Sequence, residues 1–353
     1  MKKQFNILII LFLLPILMLA NEIDTGKYSK QKTIRKAYIV NTDAGIDINN
    51  SYGNVTVTTW DEEKIELDIL IKVSGDKESW VDQRLDDINV DIQALKHLIS
   101  ATTRISKTGS DSGRNNSIEI NYIIKIPKKG SVKIDNKYGS IITDDLFANT
   151  VLRCQYGKLT LARLNGNSND ISIDYCNKST IEYLKNAAVN ADYSGLTVTG
   201  YGKINLSANY TDINFVTGSD LKYDCSYGKL QLSKINTVDG KGNYLSIQVD
   251  EVAKELKIDT KYSKLSIGEI SQAVNMVSIS TGYTGLDMGY NAAASFDFDI
   301  NVKYGSFKYD GDFEMNSKHE SMSSKSYQGF YRKSGEGKMT IRTEYGNIRL
   351  YKK

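Results

Sequence analysis

The sequence predicts an all-β protein, a parallel β-solenoid (a single-stranded β-helix) with coils of about 17–21 residues. Three observations predict it. Tyrosines recur at a nearly constant interval, apolar and polar residues alternate on both sides of each tyrosine, and only 2 prolines occur in 353 residues. Because proline cannot donate a hydrogen bond to a strand ladder, its scarcity fits a chain made mostly of strands.

The recurring tyrosines are 12 of the 23 in the chain. Ten of them follow one another at intervals of 17 to 21 residues, one copy precedes these ten, and one follows 41 residues after the last. They are Tyr52, Tyr138, Tyr156, Tyr175, Tyr193, Tyr210, Tyr227, Tyr244, Tyr262, Tyr283, Tyr304 and Tyr345. Such a period indicates a structural repeat, and each repeat must stack on its neighbours to bury its apolar face.

The residues around each tyrosine predict two short strands joined by a bend. Before Tyr262, Leu256 and Ile258 alternate with polar residues, and Leu265 and Ile267 do so after it. This alternation is typical of a strand with one buried face. The residue after the tyrosine is usually Gly, Ser or Thr, which predicts a sharp bend at that small residue. Stacked coils would then place the tyrosines in a ladder at one inner corner.

Two other folds compete with the solenoid as interpretations of this repeat. A left-handed triangular helix fits poorly, because the repeat length drifts and has no six-residue sub-period. An antiparallel meander of hairpins remains an alternative, although it would not require the same residue types to line up in every copy.

The segment boundaries follow from where this pattern starts and stops. Residues 1–20 combine two lysines, an apolar run and a small residue before Asn21, which is typical of a secretory signal peptide. Residues 21–37 are expected to be an N-terminal linker, and residues 38–130 a β-rich N-terminal cap over the open end of the solenoid. Residues 131–353 are expected to form the solenoid itself, with a polar loop inserted at 311–338.

The cap is predicted to contain one short helix between two long strands. Apolar residues recur at helical spacing within Asp76–Ile88, and Ser74 or Asp76 is available to cap the N-terminus. The flanking strands are expected at Lys64–Val73 and Asn116–Ile126, where apolar and polar residues alternate.

Charge and hydropathy indicate compartment and exclude some partners. The 45 Lys+Arg and 42 Asp+Glu give a formal net charge of +3, too small to indicate nucleic acid binding. After the expected signal peptide, no stretch is long and apolar enough for a membrane helix, so no integral membrane span is expected. The mature protein is expected to be exported, and to be periplasmic, displayed on the outer surface or secreted.

Three cysteines in an exported chain raise the question of disulfides. Cys154 and Cys225 occupy the same position four repeats apart, roughly 19 Å at about 4.8 Å per strand, which is too far for a bridge. Cys176 lies in the repeat next to Cys154, so a bond between those two stays open. The expectation is three buried, unpaired thiols that fill space as small apolar groups.

No catalytic, cofactor or metal site is predicted. The only histidines are His97 and His319, too few for a histidine-based centre. The acidic pair Asp174 and Asp192 would lie on adjacent coils of an outward face, where some parallel β-helix enzymes cut polysaccharides. A solvated face of mixed charge is the simpler interpretation of these residues.

The insertion at 311–338 is the candidate binding loop. It places Tyr327, Phe330 and Tyr331 beside the basic Arg332, and exposed aromatics next to bases can bind a glycan, an acidic polymer or a protein. The competing interpretation is a loop that folds back over the last coil with its aromatic rings packed down.

Several segments together resemble a known family. The chain has an early SYGNVTVTTW, a long strand and a short helix, then IPKKGSVKIDNKYGSIIT and repeated YG-x-L-x-L units. Over most of residues 38–353 it resembles the bacterial exported "putative adhesin" family, an autotransporter-adhesin-head-like β-solenoid common in Bacteroidetes. The resemblance implies the solenoid fold and export, and no catalytic residues.

The leading functional hypothesis is a non-enzymatic exported β-solenoid that binds through its outer face, as an adhesin or an envelope scaffold. Its partner would be a cell-surface glycan or an envelope protein. The alternatives are a polysaccharide-active β-helix enzyme and a periplasmic partner of an envelope protein complex.

Overall fold

The computed structural model describes residues 26–106 and 115–353, and this part of the chain holds twenty-three strands and one helix. The all-β fold class is therefore confirmed, whereas the expected signal peptide, residues 1–20, lies outside the described residues. The elements are β1 (Tyr28–Ile39), β2 (Gly45–Ser51), β3 (Val55–Trp60), β4 (Lys64–Gly75), α1 (Glu78–Asp87), β5 (Ile88–Ala94), β6 (Leu98–Ile105), β7 (Ser117–Pro127), β8 (Val132–Lys137), β9 (Ile141–Thr143), β10 (Thr150–Gln155), β11 (Leu159–Leu164), β12 (Asn169–Asp174), β13 (Ser179–Asp192), β14 (Gly195–Lys261), β15 (Lys264–Ile270), β16 (Met276–Gly282), β17 (Gly285–Tyr290), β18 (Phe296–Lys303), β19 (Phe307–Tyr309), β20 (Phe313–Glu320), β21 (Ser324–Tyr331), β22 (Lys338–Glu344) and β23 (Ile348–Lys352).

Nine of the recurring tyrosines lie between a strand that precedes them and a strand that follows them, whereas Tyr210, Tyr227 and Tyr244 lie within the long strand β14. We call each recurring tyrosine, with the strand segments before and after it, a tyrosine unit. Neighbouring units pair in parallel, whereas a meander of hairpins would pair them antiparallel. Leu152 of β10 lies opposite Ile171 of β12, and Leu161 of β11 lies opposite Ile181 of β13. Because the apolar residues of one unit meet those of the next, a continuous core forms between the preceding and the following strands.

Buried aromatic residues fill the core of β14, where glycines in the next unit leave room for them. Tyr201 and Tyr223 are 4% and 2% exposed. A Cβ on Gly218 would lie 2.1 Å from the Tyr201 ring, and a Cβ on Gly240 would lie 1.9 Å from the Tyr223 ring. These glycines are therefore needed for close packing between units.

The C-terminal strands do not follow the order of the chain. β22 pairs on one side with β16 and on the other with β18, and β23 lies between β17 and β19. The unit of Tyr345 is therefore inserted between the units of Tyr283 and Tyr304. The sequence predicted a loop before Tyr345 but not this insertion, because spacing along the chain does not report the order of units in space.

The N-terminal part contains the predicted helix with a different N-terminus. Helix α1 begins at Glu78 after Lys77, whose side chain makes no capping hydrogen bond, so capping by Ser74 or Asp76 is wrong. The Asp76 carboxylate instead accepts a hydrogen bond of 2.9 Å from the Asn115 side chain. Residues 28–37 of the expected linker lie in β1, which pairs antiparallel with β4.

β1 also holds the other end of the helix. The Lys32 ammonium donates hydrogen bonds of 2.6 Å to the carbonyl oxygens of Leu85 and Ile88. A cation is favourable there, because the last carbonyls of a helix lack partners within the helix and carry partial negative charge.

The three cysteines are buried and free, as the sequence predicted. Cys176 donates a thiol hydrogen bond of 3.2 Å to the carbonyl oxygen of Cys154, so the two residues meet without a disulfide. Burial raises the pKa of the Cys225 thiol to about 12, which keeps it protonated at neutral pH.

We expect replacement of Tyr223 by phenylalanine to stabilise the protein by about 1 kcal/mol, since its buried hydroxyl has no hydrogen-bond partner among the described residues. The matched control is Tyr122→Phe, because the buried Tyr122 hydroxyl bonds Thr103 at 2.7 Å and should cost about 1 kcal/mol to remove. The free energy of unfolding in urea measures both. Equal decreases in the free energy of unfolding of the two variants would mean that the Tyr223 hydroxyl forms a hydrogen bond with water.

Candidate functional site

The twelve recurring tyrosines stack ring on ring, and we call this surface feature the tyrosine row. Successive ring centroids lie 4.7 to 5.2 Å apart, and the ring planes are within 20° of parallel. At about 4.8 Å per strand, the row is roughly 50 Å long. Its members are the twelve recurring tyrosines in the spatial order 52, 138, 156, 175, 193, 210, 227, 244, 262, 283, 345, 304.

The row lies on the outside of the protein. Its tyrosines are 42% to 55% exposed, so the expected inner corner is wrong. The apolar side chains at alternating positions of the flanking strands fill the interior, and the tyrosine at the bend points away from them. The sequence period could not show whether the tyrosine side chains point inward or outward, because the alternation of apolar and polar residues changes phase at the tyrosine.

The sharp bend occurs at the tyrosine itself and not at the small residue after it. All twelve tyrosines have φ between 48° and 64°, a left-handed conformation that costs an ordinary residue about 1–2 kcal/mol. The backbone N–H of Tyr156 donates to the Asp174 carbonyl at 3.0 Å, and that of Tyr283 donates to the Glu344 carbonyl at 2.8 Å. Such bonds between neighbouring units, together with ring stacking, hold the bend.

The small residue after the tyrosine allows neighbouring units to approach closely. A Cβ on Gly139 would lie 1.9 Å from the carbonyl oxygen of Gly53 in the adjacent unit. Where serine or threonine replaces glycine, its hydroxyl accepts a backbone hydrogen bond instead, as Ser194 does from the Cys176 N–H at 3.0 Å and Thr211 from the Ser194 N–H at 3.1 Å.

The geometry determines what the row can offer to a partner. Both faces of each ring within the row are covered by neighbouring rings, so the accessible parts of these tyrosines are ring edges and phenol hydroxyls; Tyr52 and Tyr304, at the two ends, each stack on one neighbour. Burial and the neighbouring Tyr193 raise the pKa of Tyr175, and burial and the neighbouring Tyr283 raise the pKa of Tyr345. These two hydroxyls therefore remain protonated at neutral pH. A phenol hydroxyl can both donate and accept a hydrogen bond.

The insertion at 311–338 contains a hairpin of β20 and β21, and β21 pairs antiparallel with β18. Tyr327 and Tyr331 are buried, Phe330 is half-buried and Arg332 is exposed. The Tyr331 hydroxyl and the Arg332 guanidinium both donate to the carbonyl oxygen of Ala292 at 3.2 Å. Of the four predicted residues, Phe330 and Arg332 are thus the accessible ones.

The acidic pair of the enzyme hypothesis is brought together. Asp174 of β12 and Asp192 of β13 are opposite each other in register. The Asp192 carboxylate accepts a hydrogen bond of 3.0 Å from the Asn209 side chain in the next unit. Within the described ranges, no group of three or more His, Cys, Asp or Glu side chains is placed to hold a metal ion.

A groove lies on the strand segments that precede the tyrosines, at a depression that the sequence did not predict. It has a volume of about 670 Å³ and extends over five successive units. Among its lining residues, we call the uncharged Ala188, Asn190, Asn205 and Ser207 the floor, and the charged Lys222, Asp224, Asp239, Lys241 and Lys257 the wall. These residues occupy equivalent positions before the tyrosine in successive repeats. The first two repeats have uncharged side chains there, and the next three have charged ones.

Helices that could cross a membrane are not found between residues 26 and 106 or between 115 and 353. The single helix there, α1, has 10 residues.

No family model matches the chain, and no curated protein matches it. Among solved structures it is similar to a "putative adhesin" from Parabacteroides distasonis, at 12% identity over 73% of this chain and 93% of that one, with a TM-score of 0.32. A "putative adhesin" from Bacteroides fragilis is 11% identical over 90% and 97% of the two chains, with a TM-score of 0.21. A "putative cell adhesion protein" from Clostridium sporogenes is 12% identical over 92% and 100%, with a TM-score of 0.18. The similar solved structures thus carry the description that the sequence resemblance predicted.

Proposed function

We propose that the chain is an exported, non-enzymatic β-solenoid that binds a partner through its outer face, as an adhesin or an envelope scaffold. In this proposal residues 1–20 are a signal peptide, residues 38–130 cap one end, and residues 131–353 supply coils of about 17–21 residues. The partner would be a cell-surface glycan or an envelope protein.

The tyrosine row is the observation that carries this proposal. An exposed tyrosine in a left-handed conformation is costly, and here the cost recurs twelve times in one row of stacked rings. A row of phenol rings with centroids 4.7 to 5.2 Å apart on a rigid support suits a polar partner with a repeating surface. Phe330 and Arg332 at the hairpin, supported by the buried Tyr327 and Tyr331, would make a second contact at the end of the row.

The test replaces three central members of the row by phenylalanine: Tyr193→Phe, Tyr210→Phe and Tyr227→Phe in one variant. This change keeps the stacked rings and removes only the hydroxyls, so the thermal midpoint should stay unchanged. Beads coated with the protein are offered to surfaces coated with mucin and to intact cells of the producing organism. We expect retention of the beads to fall several-fold for the variant.

The matched control is Tyr309→Phe, which removes an exposed hydroxyl outside the row. Protease treatment of intact cells, followed by detection of residues 131–353, tests whether the protein faces outward. Unchanged retention of the triple variant would refute binding through the row. Protection of the protein until the envelope is opened would refute an adhesin and leave the scaffold.

A further inference from the structure

The groove on the strands that precede the tyrosines has features of a built site. Ala188 and Asn190 lie opposite Asn205 and Ser207 in the parallel pairing of β13 with β14, and all four side chains are exposed. The polar members present two amides and a hydroxyl in neighbouring units. Hydrogen-bonding groups at a regular spacing suit a ligand whose own polar groups repeat.

The wall of the groove adds positive charge. Lys222, Lys241 and Lys257 face two carboxylates, Asp224 and Asp239, so the formal charge of the lining is +1. The Lys257 ammonium lies 3.4 Å from the Asp239 carboxylate, and this pair is neutral overall. Lys222 and Lys241 are both exposed and flank the remaining Asp224, which leaves one positive charge for an acidic group of the ligand.

We propose that this groove binds a linear acidic glycan, a chain of β-linked sugars that carry carboxylates. Sugar hydroxyls would bond Asn190, Asn205 and Ser207, while carboxylates would lie against Lys222 and Lys241. In an extended β-linked glycan, the length of one sugar is close to the spacing between neighbouring tyrosine units. One glycan chain can therefore repeat the same contacts along the groove. This inference rests on the proposed binding function and names the ligand class for one part of the outer face.

Two other polymers fit the groove less well. A peptide strand is recognised mainly through free backbone groups at a sheet edge, but β13 is paired on one side with β12 and on the other with β14. A single-stranded nucleic acid needs aromatic platforms for its bases, and the only aromatic residue of the lining, Tyr223, is buried.

The test measures binding of the purified protein to a hexamer of β-1,4-linked mannuronate by calorimetry. The first variant combines Lys222→Glu with Lys241→Glu, and we expect it to weaken binding at least tenfold. The matched control combines Lys229→Glu with Lys264→Glu, which changes the net charge equally on exposed lysines that follow the tyrosines. This control should bind the hexamer within twofold of the unchanged protein.

Two further measurements separate a glycan site from general attraction of anions. Asn205→Leu keeps the shape of the floor and removes an amide, so it should weaken mannuronate binding several-fold. Cellohexaose, which lacks carboxylates, should bind more weakly than the mannuronate hexamer, and oligo-dT should not compete. The proposal would be overturned if oligo-dT bound as tightly as the mannuronate hexamer. It would also be overturned if the two lysine variants lost mannuronate affinity to the same extent.

Failure of the acidic-glycan inference can be distinguished from failure of the proposed binding function. If the phenylalanine variant of the tyrosine row loses bead retention but the native protein does not bind mannuronate, the outer face binds a partner and the groove is not the acidic-glycan site. If mannuronate binds in the groove while retention does not depend on the row, the inference stands and the role of the row is refuted.

Discussion

Removal of residues 338–353 is expected to destroy the order of the whole C-terminal third rather than to shorten one end. These residues form β22 and β23, which lie between two other units. Four of their side chains are at most 1% exposed: Met339, Ile341, Ile348 and Leu350. At about 1.5–3 kcal/mol for each buried side chain, their loss removes about as much free energy as stabilises a typical domain.

Hydrogen exchange of the segments 276–290 and 296–309 measures this effect. In the complete protein both segments are expected to exchange slowly, and in the truncated one both should exchange fast. Units far from the break should remain protected, because each unit contacts mainly its neighbours. The control deletes residues 26–39 and removes β1, which pairs with β4 alone among the described strands. Slow exchange of 296–309 after the C-terminal truncation would contradict the inserted position of β22 and β23.

Replacement of Tyr210 by alanine is expected to lower the free energy of unfolding by about 1–3 kcal/mol. The Tyr210 ring stacks on Tyr193 at 5.0 Å and on Tyr227 at 4.7 Å, and each aromatic pair contributes about 0.5–1.5 kcal/mol. Alanine would lose both contacts and keep the unfavourable left-handed backbone at φ 51°. Urea denaturation and the thermal midpoint measure the change.

Two companion variants separate the ring from the backbone. Tyr210→Gly loses the same stacking but adopts a left-handed φ without steric cost, so it should be about 1 kcal/mol more stable than Tyr210→Ala. Tyr210→Phe keeps the stacked ring and should unfold like the native protein. If glycine and alanine were equally destabilising, the backbone conformation would not be a source of strain, and a large loss in Tyr210→Phe would point to an essential hydroxyl contact.

The local alternation of apolar and polar residues was sufficient to predict the strands and part of the core. Leu256, Ile258, Leu265 and Ile267, chosen by their alternation with polar residues, are all at most 1% exposed. This works because a strand has a strict period of two, so a single buried face leaves a direct trace in the sequence. The burial of the three unpaired cysteines was also predictable, because a free thiol fills space as a small apolar group.

The candidate site was predictable only in part. The period identified every member of the tyrosine row, yet not its exposure, since the tyrosine lies where the alternation changes phase. The groove was not predictable from the sequence, because its floor consists of small residues such as Ala188 and Ser207, which carry no chemical motif. The hairpin residues Tyr327 and Tyr331 were singled out for their type, but type does not report whether a ring packs inward.

The sequence by itself determined that this protein is built of strands, that its recurring units share one register, and which tyrosines occupy one column. These features depend on neighbours a few residues apart. Tertiary structure alone decided that the column faces outward, that the tyrosine carries the left-handed bend, and that the unit of Tyr345 lies between those of Tyr283 and Tyr304. The physical reason is that similar units offer nearly equivalent edges, so packing of the whole chain, including the hairpin after Tyr304, chooses which edges pair.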